Sequence, residues 1–516
     1  HGVSVKVSPS LVEKFNLLEN QILPGGKLCW ETSEFTAGRL VVKFQKTLDS
    51  DTALLGLFLI DARFPLEGTL ARYLEIDFDL DDSVGSYELG PDNVGLGDFL
   101  GKEWNDHDIF TKAKKFDVFH QAFSRSNRWG YYIPRKPSKG TRVNLATSRK
   151  NGRDDFVIMA SNDYLGLASH PEVVNAATVA LEKYGFGSTG SAVTVGQTEE
   201  HSNLEDKLAR IFRTEGALLF NSGYAANVGT ISALVGPRDL VLADFLSHAS
   251  IYDGMQLSSG IKRFFKHNDL DHAKKVLDRT RGEAAGGLIV AEGIFSMDGD
   301  AANLRGLKAL AKDYSCRIMV DEAHSFGVLG QHGLGLGEDA GLLGGIDITM
   351  GTFSKICGGI GGFICASQEV IGWLKLSARS AFFSVSLPPS NVAAASKALD
   401  IFLSQPNLLI KLRNNIQHFA RGLREIGFPV PEDHKSAIVP VIIGDEAKMA
   451  KMYQVIFENG IYTIPVTFPA VARNNCRFRF TVTAAHTTSE LDYALLVIRQ
   501  AATEAGIDLQ QIKKAA

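Results

Sequence analysis

Cysteine is scarce in this chain. The five among 516 residues (Cys29, Cys316, Cys357, Cys365 and Cys476) show no metal or redox spacing. That argues against a disulfide scaffold and against a cysteine-held metal, and it favours free thiols in a reducing cytoplasm. Long apolar runs are missing as well, so no transmembrane segment is expected, and no signal-peptide pattern opens the sequence. Neither sign of charge dominates: 54 Lys and Arg face 58 Asp and Glu, a net of -4. No face is basic enough to predict nucleic acid as a partner. A Walker motif, a G-x-S-x-G elbow and an H-E-x-x-H pair are all absent, and no tract repeats. Residue 1 is histidine, which fits a processed chain or a piece of a longer polypeptide.

What is present divides along the chain. At ~150 residues per domain the length suggests two to four domains. Residues 1–105 read as an accessory α+β module, with short strands near 27–32 and 39–44, an apolar stretch at 54–62 and an acidic, glycine-containing stretch at 77–98. The module lacks the Asp-Ser-Leu attachment signature of a carrier protein. Residues 106–154 read as a connecting arm rich in Pro, Gly and charge. Its cations suit either a solvated linker or contact with CoA phosphates or an acidic carrier protein. From 155 to 390, strand-like runs at 216–220, 240–243, 287–291, 317–320, 348–350 and 361–365 alternate with helical stretches such as 270–280 and 304–314. This predicts an α/β large domain with a mostly parallel central sheet. Residues 391–516 read as a smaller C-terminal α+β domain, with strands near 438–443 and 477–482 and a final helix from about 489.

In such sheets ligands bind at the carboxyl ends of the strands, so the polar residues just past each apolar run are the candidates. Lys355 follows the run at 348–350, with Thr352 and Ser354 before it and glycines after it. A lysine with hydroxyls and glycines suits an anionic, flat ligand bound through a deprotonated amine, as pyridoxal phosphate (PLP) is. It equally suits a surface lysine beside a glycine turn. Ser222, Gly223 and Tyr224 open a helix-like run after 216–220, which makes either a phosphate site or an ordinary cap. Asp321 and His324 end the run at 317–320; they fit an aspartate holding a pyridine nitrogen protonated, or a structural pair. A metal there is disfavoured, because no further ligands lie at suitable spacing. His248 follows 240–243, and Glu292 and Ser296 follow 287–291. The letters Gly185-Phe-Gly-Ser-Thr-Gly190 match a dinucleotide fingerprint, but they follow a predicted helix, with Pro171 in its first turn and Gly185 as its cap, rather than a strand.

Lys355 with Asp321-Glu-Ala-His324 upstream resembles the fold-type I PLP-transferases, and more finely the α-oxoamine synthases. The likeness runs over about 155–505. It includes Ser161-Asn-Asp-Tyr-Leu-Gly-Leu167, His201-x-x-Leu-Glu205, Ser222-Gly-Tyr-Ala-Ala-Asn227, Ser247-His-Ala-Ser250, His267-Asn-Asp269, the 292–299 run, Ser386-Leu-Pro-Pro389 and Thr483-Ala-Ala-His486. The Thr352-Phe-Ser-Lys355 form looks most like the serine palmitoyltransferase branch. The resemblance implies a homodimeric acyltransferase with PLP as cofactor and active sites shared between subunits. Its substrates would be a small L-amino acid (Ser, Ala or Gly) and an acyl thioester of CoA or a carrier protein, joined by decarboxylative Claisen condensation. By the same resemblance, Lys355 holds PLP and moves the Cα proton, Asp321 meets the ring nitrogen, His324 the ring oxygen, and His248 stacks on the ring. Ser222, Gly223, Tyr224, Glu292, Ser296, Thr352 and Ser354 surround the cofactor, and Ser384 reaches the partner's phosphate. Arg479, favoured over Arg477 by its offset from the 483–486 motif, clamps the amino acid carboxylate beside Asn162. One departure is Ala192, where several relatives carry an arginine; it bears on substrate recognition. Other fold-type I chemistry, such as amino transfer or decarboxylation, and a non-catalytic partner subunit are the competing readings.

Overall fold

The structure is a computed structural model. It describes residues 2–6, 39–43, 108–114, 116–117, 120, 130–468 and 470–509. The chain forms two units. One holds residues 1–132, 444–450 and 466–476; the other holds 133–443, 451–465 and 477–516. In the first, strands Gly2–Lys6 and Arg39–Lys43 pair antiparallel. The strand expected at 27–32, the apolar stretch at 54–62 and the acidic stretch at 77–98 lie outside the described residues.

The second unit is built on a seven-stranded sheet. Its strands are β1 (Gly216–Phe220), β2 (Leu240–Asp244), β3 (Ile261–Phe265), β4 (Gly287–Glu292), β5 (Arg317–Asp321), β6 (Ile348–Thr352) and β7 (Gly362–Ala366). Their order across the sheet is β1-β7-β6-β5-β4-β2-β3. Neighbours run parallel except β7, which is antiparallel to both β1 and β6. Strands β2, β6 and β7 are buried along their whole length. That explains their continuous apolar sequences: helices cover both faces of a parallel sheet. One face packs Val241, Val290, Met319, Met350 and Ile364 against Ala226 and Ile231 of helix Gly223–Leu234.

β3 was not expected. Ile-Lys-Arg-Phe-Phe reads as a charged segment, yet it lies at the edge of the sheet, where one side of the strand meets solvent and lysine and arginine are common. A second difference lies in the expected connecting arm 106–154. Its strand Arg142–Asn144 pairs antiparallel with Asp155–Ile158, which also pairs with Ile461–Tyr462. Burial of Val143, Leu145, Phe156 and Val157 draws this part of the arm into the fold. As expected, helix Pro171–Tyr184 precedes the glycines at 185–190, and Gly185 caps it at φ 80°.

The smaller part contains β8 (Ile438–Ile442) and β9 (Arg477–Thr481), paired antiparallel, with long helices Pro389–Ser404, Pro406–Ile426 and Thr488–Glu504. The last begins in a capping box formed by Thr487 and Glu490. Among the described residues, no helix is long and apolar enough to cross a membrane.

Candidate active site

The carboxyl ends of β1, β4, β5 and β6 converge with the start of β7. Gly362 pairs with Phe220 on one side and with Thr352 on the other. A side chain on Gly362 would meet Ser222 O at 2.6 Å and the Gly223 Cα at 2.7 Å. One on Gly223 would meet Met350 Cε at 2.8 Å and Thr352 Cβ at 3.1 Å. Glycine at both positions therefore lets the start of helix Gly223–Leu234 press against β6 and β7. Ser222 caps this helix, its Oγ accepting from Ala225 N at 3.0 Å. The Gly223 and Tyr224 amides precede the first intrahelical bond and carry the positive end of the helix. Thr352 Oγ1 lies 2.9 Å from Ser354 Oγ and donates to Gly361 O at 2.8 Å. Backbone amides and two hydroxyls thus form a cradle suited to an anion. The Tyr224 ring is exposed, and its hydroxyl donates to Asp253. Asn221, one residue past β1, donates to Ser384 Oγ and to Val385 O, both at 2.6 Å.

Asp321 ends β5 and is buried; its carboxylate accepts from Ala323 N at 2.9 Å and from Asn227 Nδ2 at 2.7 Å. Glu292 stands beside it in register at the end of β4. Burial, reinforced by the Asp321 charge, pushes the Glu292 carboxyl well above the usual range, and Glu292 accepts from the His248 backbone amide. His324 is also buried, and its Nδ1 lies 2.6 Å from the Tyr164 hydroxyl. Burial first, then the Lys355 and Arg479 cations, hold His324 well below the ordinary imidazole range, while burial pushes Tyr164 up to about 12. The tyrosine keeps its proton, so the bond to Nδ1 joins two uncharged groups.

Lys355 occupies the turn after β6 and is half-buried. Burial lowers its amine below the usual lysine range; Arg479 acts in the same direction, and the Asp321 and Glu292 carboxyls oppose it. His248 caps helix Ala249–Leu257 through Nδ1 and is lowered by burial and by the Lys355 charge, against Asp321. Arg479 on β9 donates from Nε to Ser296 O at 2.6 Å and from both Nη atoms to Asn162 Oδ1 at 3.3 Å. Arg477, two residues earlier, is buried and paired with Asp298 at 2.6 Å.

The candidates Lys355, Asp321, His324, His248, Glu292, Arg479 and Asn162 thus gather in one cluster beside the Ser222–Thr352–Ser354 cradle. Ser296 joins it through its carbonyl, and Ser384 stands on the cradle side beside Asn221. Ala192 lines a small cavity with Asn221 and Ser384. Sequence reasoning passed over Tyr164, Asn227, Ser250 and Asn221 as site residues. All lie inside or beside the motifs read from the sequence, and Asn227 carried a readable signal as an amide in a mostly apolar helix.

Residues 154–498 match the family model of the class I and II aminotransferases. The chain is 41% identical over 357 residues to 8-amino-7-oxononanoate synthase of Treponema denticola, covering 69% of this chain and 90% of that protein. It is 35% identical over 420 residues to 4-hydroxy-2,2'-bipyrrole-5-methanol synthase PigH of Serratia sp., covering 81% of this chain and 64% of that protein. Among solved structures, serine palmitoyltransferase of Sphingomonas wittichii superposes with a TM-score of 0.73 at 34% identity, covering 78% of this chain and all of the other.

Proposed function

Because the chain belongs to the α-oxoamine synthase family of fold-type I PLP-dependent enzymes, we propose that it joins a small L-amino acid (Ser, Ala or Gly) to an acyl thioester by decarboxylative Claisen condensation. The products are an α-amino ketone, CO2 and the free thiol of CoA or a carrier protein. The observation that carries this reading is the placing of a lysine with a lowered amine beside a buried aspartate and an arginine–asparagine pair at one sheet edge.

The residues fit PLP. The glycine-opened cradle of Ser222, Gly223, Tyr224, Thr352 and Ser354 offers backbone amides and hydroxyls to a phosphate. Asp321 supplies the buried carboxylate for a pyridine nitrogen, and His324 presents its other ring nitrogen, Nε2, to a ring oxygen. When bound, PLP supplies an electron sink for the carbanion at the amino acid Cα. Lys355 holds the cofactor and then takes the Cα proton, a task for which its lowered amine is suited. Arg479 binds the amino acid carboxylate as a planar fork, held in place by Asn162 Oδ1, which accepts from its Nη atoms. His248 covers the ring. Glu292, its carboxyl raised by burial, anchors the His248 backbone. The product carboxyl leaves as CO2 after the acyl group has been added.

A homodimer with shared sites belongs to the same proposal, with Ser384 turned to the partner's phosphate. Exposed Phe245, Leu246, Ile360, Phe383 and Val385 flank this edge, an apolar surface that a second copy would cover.

The test is spectral titration of the PLP-loaded protein with a panel of amino acids, followed by assay for thiol and CO2 after a thioester is added. Lys355→Ala should abolish both the visible lysine-linked cofactor band and thiol release. Transfer of the amino group without thiol release would assign the chain to amino transfer instead.

A further inference from the structure

Two residues absent from the mechanism above connect two that belong to it. Asn227 is 1% exposed and Ser250 is fully buried. Asn227 Nδ2 donates to Asp321 Oδ2 at 2.7 Å and to Ser250 Oγ at 2.9 Å. Ser250 Oγ lies 2.7 Å from His248 Nδ1, and the Ser250 backbone N–H reaches the same nitrogen at 3.2 Å.

The proton directions follow from chemistry. A carboxylate oxygen only accepts, so the amide must turn its nitrogen to Asp321. Both Nδ2 hydrogens are then committed. Ser250 Oγ accepts one of them and has its own hydrogen left for His248. A backbone N–H can only donate, so His248 Nδ1 accepts twice and carries no proton. The imidazole proton sits on Nε2. Asn227 Oδ1 is buried without a protein partner among the described residues. Flipping the amide would set that oxygen against the Asp321 carboxylate, so Asp321 dictates the orientation and the orphan oxygen is its consequence.

We infer that Asn227 and Ser250 are positioning residues that couple Asp321 to His248, orienting the aspartate and locking the histidine as a neutral Nε2–H donor. This rests on the proposed function, in which both end residues face the cofactor. A locked donor without charge can hydrogen-bond a substrate carboxylate or thioester carbonyl while the ring still lies flat on an aromatic neighbour. Protonation would put a hydrogen on Nδ1, set it against the Ser250 backbone N–H and reverse the bond to the Ser250 hydroxyl.

The experiment reads the imidazole 15N signals of His248 in the full chain, with and without PLP, and the PLP dissociation constant by equilibrium dialysis. The wild type should show an unprotonated Nδ1 and a protonated Nε2. Asn227→Ala should shift the His248 signals although Asn227 bonds Asp321 and Ser250 rather than that ring, and should weaken PLP binding about tenfold or more. Ser250→Ala keeps the backbone N–H at Nδ1 but removes the hydroxyl bond, so it should shift the His248 Nδ1 signal and weaken PLP binding although its hydroxyl bonds Asn227 rather than Asp321. Should Asn227→Ala fail to fold, Ser250→Ala, which removes one hydroxyl, decides the matter alone. His248 signals unchanged in the folded variants would overturn the inference whatever PLP does. A wild type that takes up no PLP but shows the tautomer lock and its loss on substitution would instead overturn the proposed function.

Discussion

Arg477 and Arg479 leave the same strand two residues apart, and their surroundings give them different work. Arg477 is sealed in and paired with Asp298, so removing its charge breaks a buried pair. Arg477→Ala should lower unfolding free energy by about 3 kcal/mol, measured by denaturant titration, with the amino acid KM little changed in the folded fraction. Arg479 keeps part of its guanidinium toward the site, against Asn162. Arg479→Ala should raise the amino acid KM by about 10- to 100-fold and leave stability nearly intact, and lysine should not restore binding. Equal losses of stability in the two variants would refute this division. The offset from the 483–486 motif already favoured Arg479 in the sequence. The reason, a partner carboxylate that neutralises Arg477, was not legible, because Asp298 is distant along the chain. Tyr164 was hidden for the same reason: its role depends on His324, 160 residues away.

At the level of elements, the cradle depends on backbones meeting closely. Gly362→Ala would drive a methyl into the backbone of Ser222 and Gly223, which cannot yield as a flexible side chain can. The expected result is destabilisation of about 1–3 kcal/mol together with weaker PLP binding, measured by thermal unfolding and dialysis. The ends of β2 and β3 are held by His267, which bonds Asp244 and Asp300 at 3.0 Å each. Burial alone would depress this imidazole, but the two carboxylates raise it to about 10. An unfolded histidine titrates near ~6.5, so this stabilisation is complete below that pH and is lost as pH rises from there through about 10. Melting temperature should therefore fall across that range in the wild type, and fall less in His267→Gln. The fully buried strands could be read from their uninterrupted apolar runs. Edge strand β3 could not, because half its surroundings are solvent and its charges are compatible with many structures.

On the scale of the whole molecule, every candidate site residue lies within the second unit. Deleting residues 1–105 is expected to leave PLP absorbance unchanged, and loss of that absorbance would show that the N-terminal residues support the site. The large α/β architecture was legible because strand and helix periods differ and alternate. What the sequence could not display is how distant segments share one edge: Asn162 meets an arginine 317 residues further on. That separation imposes an order on synthesis. A chain emerging from the ribosome completes the cradle of Ser222, Thr352 and Ser354 and the turn bearing Lys355 while the strand bearing Arg479 is still unmade. On the proposed function, the growing polypeptide acquires a place for its cofactor before it has any grip on an amino acid, so the means of holding the reagent precedes the means of choosing what it acts on.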